Sequence, residues 1–165
     1  MNKNILALTV LSLILAISAF GKTFKLPNDE FAVASITFPN DWEPEELDNG
    51  VFGQSSDTAV YIAAVAVGNE KGMNAELEDT FGMLKRHKVD LDNSTKKEKK
   101  FKLNGVDANE LIFEGKDEDG PCTVTIAFVP IKAKVIVLTY WVTTEKEEQH
   151  AQEVGKIVSS LKAAE

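Results

Sequence analysis

Two groups of acidic residues have the side chains and the close spacing of a calcium site. One group follows Trp42 in a predicted loop and the other forms a predicted turn; they are Glu43, Glu45, Glu46 and Asp48, and Asp117, Glu118 and Asp119. Carboxylate oxygens are ligands that Ca²⁺ prefers, but charged side chains in loops usually face water. A calcium-loop pattern also begins at residues 90–94, and it fails because Thr95 and Phe101 replace the required glycine and glutamate. The sequence leaves open whether any metal binds.

Few other side chains have the setting that catalysis requires. His87 and His150 lie on different predicted helices, and both are expected on the solvent side. Cys122 falls on the predicted inward face of a strand, where a cysteine is usually an inert core residue. The chain has no nucleophile elbow, phosphate loop or dinucleotide fingerprint. The sequence therefore predicts a non-enzymatic protein without a cofactor, and a hydrolase with dispersed carboxylates is the enzymatic alternative.

Two tryptophans and one lysine-rich run are candidates for a ligand or partner surface. Trp42 and Trp141 each adjoin a predicted strand, so each either lines a pocket or packs in the core or at its rim. Residues 96–100 hold four lysines, which on an edge strand would prevent unwanted strand pairing. The alternative is a docking patch for an acidic partner through Lys97 and Lys100. Strict alternation with Phe101 inward would also point Lys97 inward, which predicts a bulge or a frayed edge.

The composition is that of one soluble domain with a surplus of acidic residues. The 165 residues include 26 acidic and 18 basic side chains, for a formal net charge of −8, and 44% of the residues are apolar. A chain of this length can bury one core without covalent cross-links, and the lone Cys122 allows no intrachain disulfide. The negative charge argues against nucleic acid as a partner, because binding to DNA or RNA requires a basic surface.

The first 21 residues have the pattern of a secretory signal peptide. Lys3 precedes an apolar run at residues 5–20, and Ala19 and Gly21 are the small residues before a cleavage site at Lys22. The run of about 16 residues is shorter than the roughly 20 that a membrane-spanning helix needs. The expected product is therefore one domain at residues 22–165, secreted or periplasmic, with no stable membrane anchor after signal removal.

The rest of the chain combines strand patterns with two amphipathic helices. The predicted elements, in chain order, are strands at residues 32–38, 51–54 and 58–67, a helix at 75–89 capped by Asn74, strands at 94–103, 106–114, 122–129 and 135–142, and a helix that begins with a capping box at Thr144 and ends near Lys162. Asn104-Gly105 has the sequence of a two-residue hairpin turn. Hairpins between successive strands give an antiparallel sheet, so the predicted class is α+β with helices packed on the sheet.

Four segments of this layout carry a resemblance to a known family. They are Ile36-Thr37-Phe38-Pro39-Asn40-Asp41-Trp42 at a strand end, the Asn104-Gly105 hairpin, Tyr140-Trp141 late in a strand, and Ile157-Val158-Ser159-Ser160-Leu161-Lys162 in the last helix. In their order and spacing they resemble the PsbP-like superfamily. Its members include an extrinsic subunit of the oxygen-evolving photosystem, a nuclear-import accessory factor and bacterial envelope proteins of the DcrB type. The resemblance implies an antiparallel sheet between helices, an α/β/α sandwich.

The same resemblance implies little about activity, because a fold can host many functions. Members of the superfamily bind proteins or assist complexes, which favours a non-enzymatic accessory or protein-binding domain whose partner is another envelope protein. The alternative is a binding module for a small ligand or for a divalent cation of the Ca²⁺ or Mn²⁺ type.

Overall fold

A computed structural model describes residues 21–68 and 70–165, so the predicted signal peptide, apart from Gly21, lies outside the described residues. The strands are β1 (Lys22–Leu26), β2 (Ala34–Phe38), β3 (Glu45–Leu47), β4 (Gly50–Gln54), β5 (Val60–Val67), β6 (Asp90–Leu103), β7 (Val106–Asp117), β8 (Gly120–Ile131), β9 (Lys134–Thr143) and β10 (Lys162–Ala163). The helices are α1 (Glu70–Arg86) and α2 (Glu147–Ser160). Neither helix is long and apolar enough to cross a membrane.

Seven of the strands form one antiparallel sheet in the order β3-β4-β5-β9-β8-β7-β6. Strands β6 to β9 follow one another through hairpins, and β9 also pairs with β5. Helix α1 connects β5 to the edge strand β6. Strands β1, β2 and β10 form a separate small sheet. The predicted α+β class and the antiparallel sheet are both confirmed.

The predicted hairpin at Asn104-Gly105 is also confirmed. Both residues have positive φ, 49° and 84°, as a type I′ turn requires. The Asn104 side chain has a second role, because its Nδ2 donates hydrogen bonds to the carbonyl oxygens of Ser159 and Leu161, at 2.9 and 2.8 Å. The turn therefore joins the sheet to the end of α2.

The seven-stranded sheet is covered on both faces, which we call the α2 side and the α1 side. All eight residues of β5 are buried, which agrees with the almost unbroken apolar run at residues 58–67 that is typical of a doubly covered strand. Its even-numbered residues belong to the apolar cluster on the α2 side, together with Phe38, Trp42 and Ile157. Its odd-numbered residues belong to the cluster beneath α1, together with Trp141. One strand thus contributes to two separate cores.

Helix α1 begins and ends earlier than predicted. It starts at Glu70, so Asn74 lies inside the helix and is not its cap. The helix ends where Lys88 adopts a left-handed conformation with φ of 58°. The Val89 amide then donates to the Leu84 carbonyl at 2.9 Å, and both side chains are buried. This is a Schellman ending with its apolar contact, formed without a glycine.

The start of α2 also differs from the prediction. Residues Thr144–Lys146 form a 3₁₀ turn, and the helix follows at Glu147 without any side-chain cap, so the capping box does not form. Its buried stripe is confirmed, with Ile157 and Leu161 fully buried. Leu161 lies just beyond the helix, and Lys162–Ala163 pairs with β2 as the short strand β10.

Strand β6 is the basic edge of the large sheet. Its pairing with β7 shifts between Asp92 and Lys97, and this irregularity reverses which residues face each side of the sheet. Asp92 accepts hydrogen bonds from the amide and the hydroxyl of Ser94 at 2.9 and 2.6 Å, which stabilises the irregular segment. Residues 96–100 are all exposed, so the predicted edge position is confirmed. The register shift lies before Lys97, and no bulge separates Lys97 from Phe101, which keep the strand alternation.

Candidate functional site

A cleft of about 690 Å³ lies on the α1 side, between α1 and the hairpin of β3 and β4. Its floor consists of small and medium side chains from the two central strands, Ala63 and Val65 on β5 and Val137 and Thr139 on β9. These residues are cross-strand neighbours, because Ala63 pairs with Thr139 and Val65 with Val137. The short side chains of the floor leave space between the sheet and the helix.

Carboxylates line both long sides of the cleft. Glu46 and Asp48 lie on the hairpin side, and Glu76 and Asp79 lie on the helix side. Glu46 is paired with Lys22, with 3.3 Å between Oε1 and Nζ, and both side chains are mostly exposed. Neither Asp48 nor Asp79 forms an ion pair with another described residue. The cleft therefore has an apolar floor and a negative rim.

The surroundings of Glu76 shift the pKa of its carboxyl group. Burial raises its pKa, and the nearby charge of Asp79 raises it further, while a hydrogen bond with the Thr80 hydroxyl lowers it in part. The two carboxylates are three residues apart on one helix, so they are neighbours on its surface. Asp79 is exposed and Glu76 is partly buried, and a cation between the two carboxylates would be stabilised by both charges.

Thr139 provides a polar group in the otherwise apolar floor. The residue is only 2% exposed, and no described residue hydrogen-bonds to its side-chain hydroxyl. Every fully enclosed side-chain oxygen and nitrogen in the described chain has a partner, so this hydroxyl reaches open space, and Thr139 lines the cleft. Buried polar groups are nearly always hydrogen-bonded, so the hydroxyl is available to a bound molecule.

A stack of aromatic rings closes one end of the cleft. Tyr61 stacks on Phe52 with ring centroids 5.6 Å apart and on Trp141 at 4.3 Å. His87, just after α1, lies against both Tyr61 and Trp141 at 5.8 and 5.6 Å. Burial raises the pKa of Tyr61 to about 12, although the charge of Arg86 partly opposes the shift. Tyr61 is therefore a neutral ring at physiological pH, and its stack forms an aromatic wall.

The structure brings three of the predicted surface residues to this region. Glu46 and Asp48 lie on the rim, and Trp141 lies in the aromatic stack. Trp42 is elsewhere, since it packs against Phe38 in the core on the α2 side, with ring centroids 6.3 Å apart. The two tryptophans therefore lie on opposite faces of the sheet.

The other predicted surface residues lie outside the cleft. Glu43 and Glu45 border a smaller cavity of about 400 Å³ next to Trp42. Lys97 and Lys100 are on the edge strand β6, at the opposite end of the sheet from β3. Lys97 pairs with Glu114 at 3.6 Å, and both side chains are mostly exposed. These positions do not form one common site with the cleft.

The carboxylates considered as calcium ligands either accept hydrogen bonds from neighbouring residues or lie apart from one another. Asp117 accepts hydrogen bonds from the amides of Asp119 and Gly120, at 2.9 and 3.0 Å, and so stabilises the β7–β8 turn. Asp92 likewise bonds to Ser94. Within residues 21–68 and 70–165, no three His, Cys, Asp or Glu side chains converge in a way that could hold a metal ion.

His150 is placed differently from the prediction. It is buried, and its Nε2 lies 3.0 Å from Oδ2 of Asp57 in the β4–β5 loop. Burial alone would raise the pKa of Asp57, but hydrogen bonds from Ser55, His150 and the Ala59 amide outweigh it and lower the pKa to about 2. His150 lies one helical turn before Val154, on the same face as the buried stripe of α2. The prediction of an exposed side chain failed because no local pattern revealed its partner in a distant loop.

Cys122 is a core residue, as predicted. It is 1% exposed and belongs to the cluster on the α1 side. Burial and the charge of Asp117 raise its pKa to about 11, so the thiol is protonated and inert at physiological pH.

An antiparallel sheet with a helix on each face, and with an open cleft beneath one helix, defines an α+β sandwich with a cavity suited to binding. No protein-family profile and no curated protein sequence matches the chain. Among solved structures, it is similar to the cyanobacterial PsbP (CyanoP) of Synechocystis, with a TM-score of 0.58 and 10% identity over 88% of this chain and 94% of that one.

Two further solved structures align with the chain, and the first of them is similar in fold. A protein from Bacteroides thetaiotaomicron gives a TM-score of 0.56 and 16% identity over 88% of this chain, which spans 49% of that protein. The Ran-binding protein Mog1p of Saccharomyces cerevisiae gives 0.49 and 12% identity, over 88% of this chain and 96% of that one. At such low identities the likeness shows the fold alone. The chain has a PsbP-like fold, as its sequence resemblance predicted.

Proposed function

We propose that this chain is an exported, non-enzymatic accessory domain that binds another protein of the cell envelope, and that the cleft is its binding surface. The observation that carries the proposal is the cleft itself, a space of about 690 Å³ with an apolar floor and a charged rim. Binding sites commonly combine an apolar surface with a few polar groups that orient the bound molecule. A side chain or a short segment of a partner protein fits a space of this size.

The contacts of Ser55, which lies near both a carboxylate and a histidine, support a non-enzymatic role. Ser55 donates its hydroxyl hydrogen to Asp57 at 2.8 Å, and His150 bonds to the other oxygen of the same carboxylate. The base beside the Ser55 hydroxyl is thus a carboxylate whose pKa is lowered to about 2, which makes it a poor general base, and Ser55 itself is only 4% exposed. Ser55 also accepts a hydrogen bond from the Val60 amide at 3.0 Å, so this cluster holds the β4–β5 loop in place.

Export is the second part of the proposal, and it rests on the signal pattern of residues 1–21. Cleavage before Lys22 would also leave a free amino group on Lys22, the first residue of β1. The side chain of Lys22 pairs with Glu46 at the cleft rim. N-terminal sequencing of protein recovered from the envelope or the medium tests this part. The expected first residue is Lys22, and an exported protein that retains Met1 or Asn2 would contradict it.

Photo-crosslinking in cells that produce the protein tests whether the cleft binds a partner. A photoreactive amino acid at Met83, which lines the cleft, is compared with the same residue at Gln152, an exposed position on α2. We expect a discrete adduct with another envelope protein from position 83 and none from position 152. The same adducts from both positions, or none from position 83, would overturn the cleft as the partner surface.

A small-ligand module is the second candidate function, and the size of the cleft favours it. Small-molecule sites occupy roughly 300–1,000 Å³, and this cleft lies within that range. The crosslinking experiment separates the two candidates, because a small ligand leaves position 83 without a protein adduct. Thermal unfolding with candidate ligands then supports the module if the melting temperature rises, since a ligand that prefers the folded state stabilises it.

A further inference from the structure

The cleft carries an excess of negative charge that the described chain does not neutralise. Its lining includes four carboxylates, those of Glu46, Asp48, Glu76 and Asp79, against one guanidinium, that of Arg86. Only Glu46 has an ion-pair partner among the described residues, and that partner, Lys22, is mostly exposed and outside the lining. The field inside the cleft therefore attracts a cation.

The arrangement of these carboxylates distinguishes an organic cation from a bare metal ion. A metal ion requires several ligand atoms around one point, and the described side chains form no such group. The carboxylates instead line two opposite sides of an apolar floor made by Ala63, Val65 and Val137. A charged group on an apolar stem can contact both the rim and the floor, whereas a hydrated ion gains nothing from the floor.

Thr139 is an independent indication of a polar ligand. It is almost fully buried, its hydroxyl has no hydrogen-bond partner among the described residues, and it lines the floor. A hydroxyl can donate or accept, so it suits an amide or an amine of a bound molecule. The aromatic wall of Phe52 and Tyr61 at one end offers a further surface for an apolar stem or, through its ring face, for a cation.

We propose that the cleft binds an ammonium or guanidinium group on an apolar stem, as in a lysine or arginine side chain of the protein partner. The charged group lies between the helix-side carboxylates Glu76 and Asp79 and the hairpin-side Asp48, and the stem lies over Ala63 and Val137. Burial of the stem contributes affinity, and the carboxylates select the charge. This assignment rests on the proposed function of the cleft and adds the chemistry that the cleft recognises.

NMR titrations of the chain from Lys22 to Glu165 test the assignment with three probes. N-acetyl-lysine amide has the charge and the stem, N-acetyl-norleucine amide has the stem without the charge, and pentane-1,5-diamine has the charges without a peptide backbone. We expect the lysine probe to shift the amide signals of β5, β9 and α1, and the norleucine probe to bind at least about fivefold more weakly. Equal binding of the lysine and norleucine probes, or no binding of lysine, overturns the proposal.

Matched charge variants show whether the cleft is the binding site. Glu76→Gln together with Asp79→Asn should raise the Kd of the lysine probe by about tenfold. The control, Glu78→Gln together with Glu148→Gln, removes the same charge from exposed positions and should leave the Kd within about twofold. An equal loss in both variants indicates non-specific attraction by net charge and overturns the assignment.

The outcomes also separate this inference from the proposed function. A protein adduct at position 83 without a preference for lysine over norleucine leaves the partner surface in place and removes the cation assignment. Binding of the lysine probe without any protein adduct keeps the cation assignment and replaces the protein partner by a small amine. Tighter binding of pentane-1,5-diamine than of the lysine probe would identify a small amine as the ligand.

Discussion

The α2 side and the α1 side of the same sheet are covered in different ways. On the α2 side, the small sheet and α2 enclose large side chains such as Phe38, Trp42 and Ile157, which are at most 3% exposed. On the α1 side, the aromatic stack fills one end, and the small floor residues beside Ala63 leave the cleft open. The difference shows how one sheet can be covered in two ways: the sealed side contributes to stability, and the open side leaves the cleft that we propose as a binding surface.

The largest expected effect is a loss of stability on the sealed side. Leu161→Ala should lower the free energy of unfolding by about 2–4 kcal/mol, because it removes a fully buried side chain and leaves a cavity. Met83→Ala, beside the open cleft, should cost about 1 kcal/mol or less, because Met83 is only partly buried. Urea unfolding of both variants measures the loss in the free energy of unfolding. An equal loss in Leu161→Ala and Met83→Ala would contradict the difference between the sealed side and the open side.

A smaller effect is expected at the contact between Asp57 and His150, which joins the β4–β5 loop to α2. Because the pKa of Asp57 falls from 3.8 to about 2 on folding, its charge stabilises the fold above the unfolded pKa, and this contribution is lost as the pH falls from about 4 to about 2. The Asp57 side chain is 34% exposed, so solvent screening reduces the contribution to about 1 kcal/mol.

Asp57→Asn tests that contribution through its pH dependence. The variant should be less stable than the natural protein near pH 6, and the difference should shrink at acid pH, where Asp57 is protonated in the natural protein as well. Asp119→Asn, an exposed acid in the β7–β8 turn, is the matched control and should show no such pH dependence. A difference that stays constant between about pH 6 and about pH 2 would show that the charge of Asp57 is not what stabilises the loop.

A still smaller change is expected at Thr139. Thr139→Val replaces the hydroxyl by a methyl group of the same shape, and it should leave stability unchanged or raise it by up to about 1 kcal/mol, because no described residue bonds to that hydroxyl. The same change should weaken binding of the lysine probe. A clear loss of stability, measured by thermal unfolding, would mean that the hydroxyl serves the fold and not a ligand.

The smallest effect is expected at the basic edge, strand β6. Lys97→Glu together with Lys100→Glu should change the free energy of unfolding by less than about 0.5 kcal/mol, because both side chains are exposed. Aggregation should not increase, since either sign of charge protects an edge strand. If β6 instead docks an acidic partner, the variant captures that partner more slowly at low salt, and the deficit fades as salt rises.

Seven of the described strands were predictable because local patterns determine them, whereas β1, β3 and β10 had no counterpart in the prediction. Asn104-Gly105 specified a hairpin, and the unbroken apolar run of β5 specified a doubly covered strand. Helix ends were less predictable, because α1 terminates on Lys88, a residue type that rarely adopts positive φ. Helices often end at a glycine, and no glycine at position 88 marked this end in the sequence.

The cleft was only partly predictable. Glu46 and Asp48 were recognised as acidic loop residues, but Glu76 and Asp79 fell within a predicted helix and Thr139 within a predicted strand, with no sign that they share a site. What joins them is the pairing of β5 with β9 and the position of α1, and both are contacts between residues far apart in sequence. A single sequence carries no local signal of such contacts, and the same limit concealed the partner of His150.

The most direct test of the cleft as the working surface is the location of a bound lysine probe. Intermolecular NOEs between the side-chain methylenes of N-acetyl-lysine amide and the protein methyl groups report that location. We expect NOEs to the methyl groups of Ala63 and Val137, on the floor of the cleft. NOEs to Val158 on the α2 side, or NOEs to neither floor residue while the probe is bound, would contradict it.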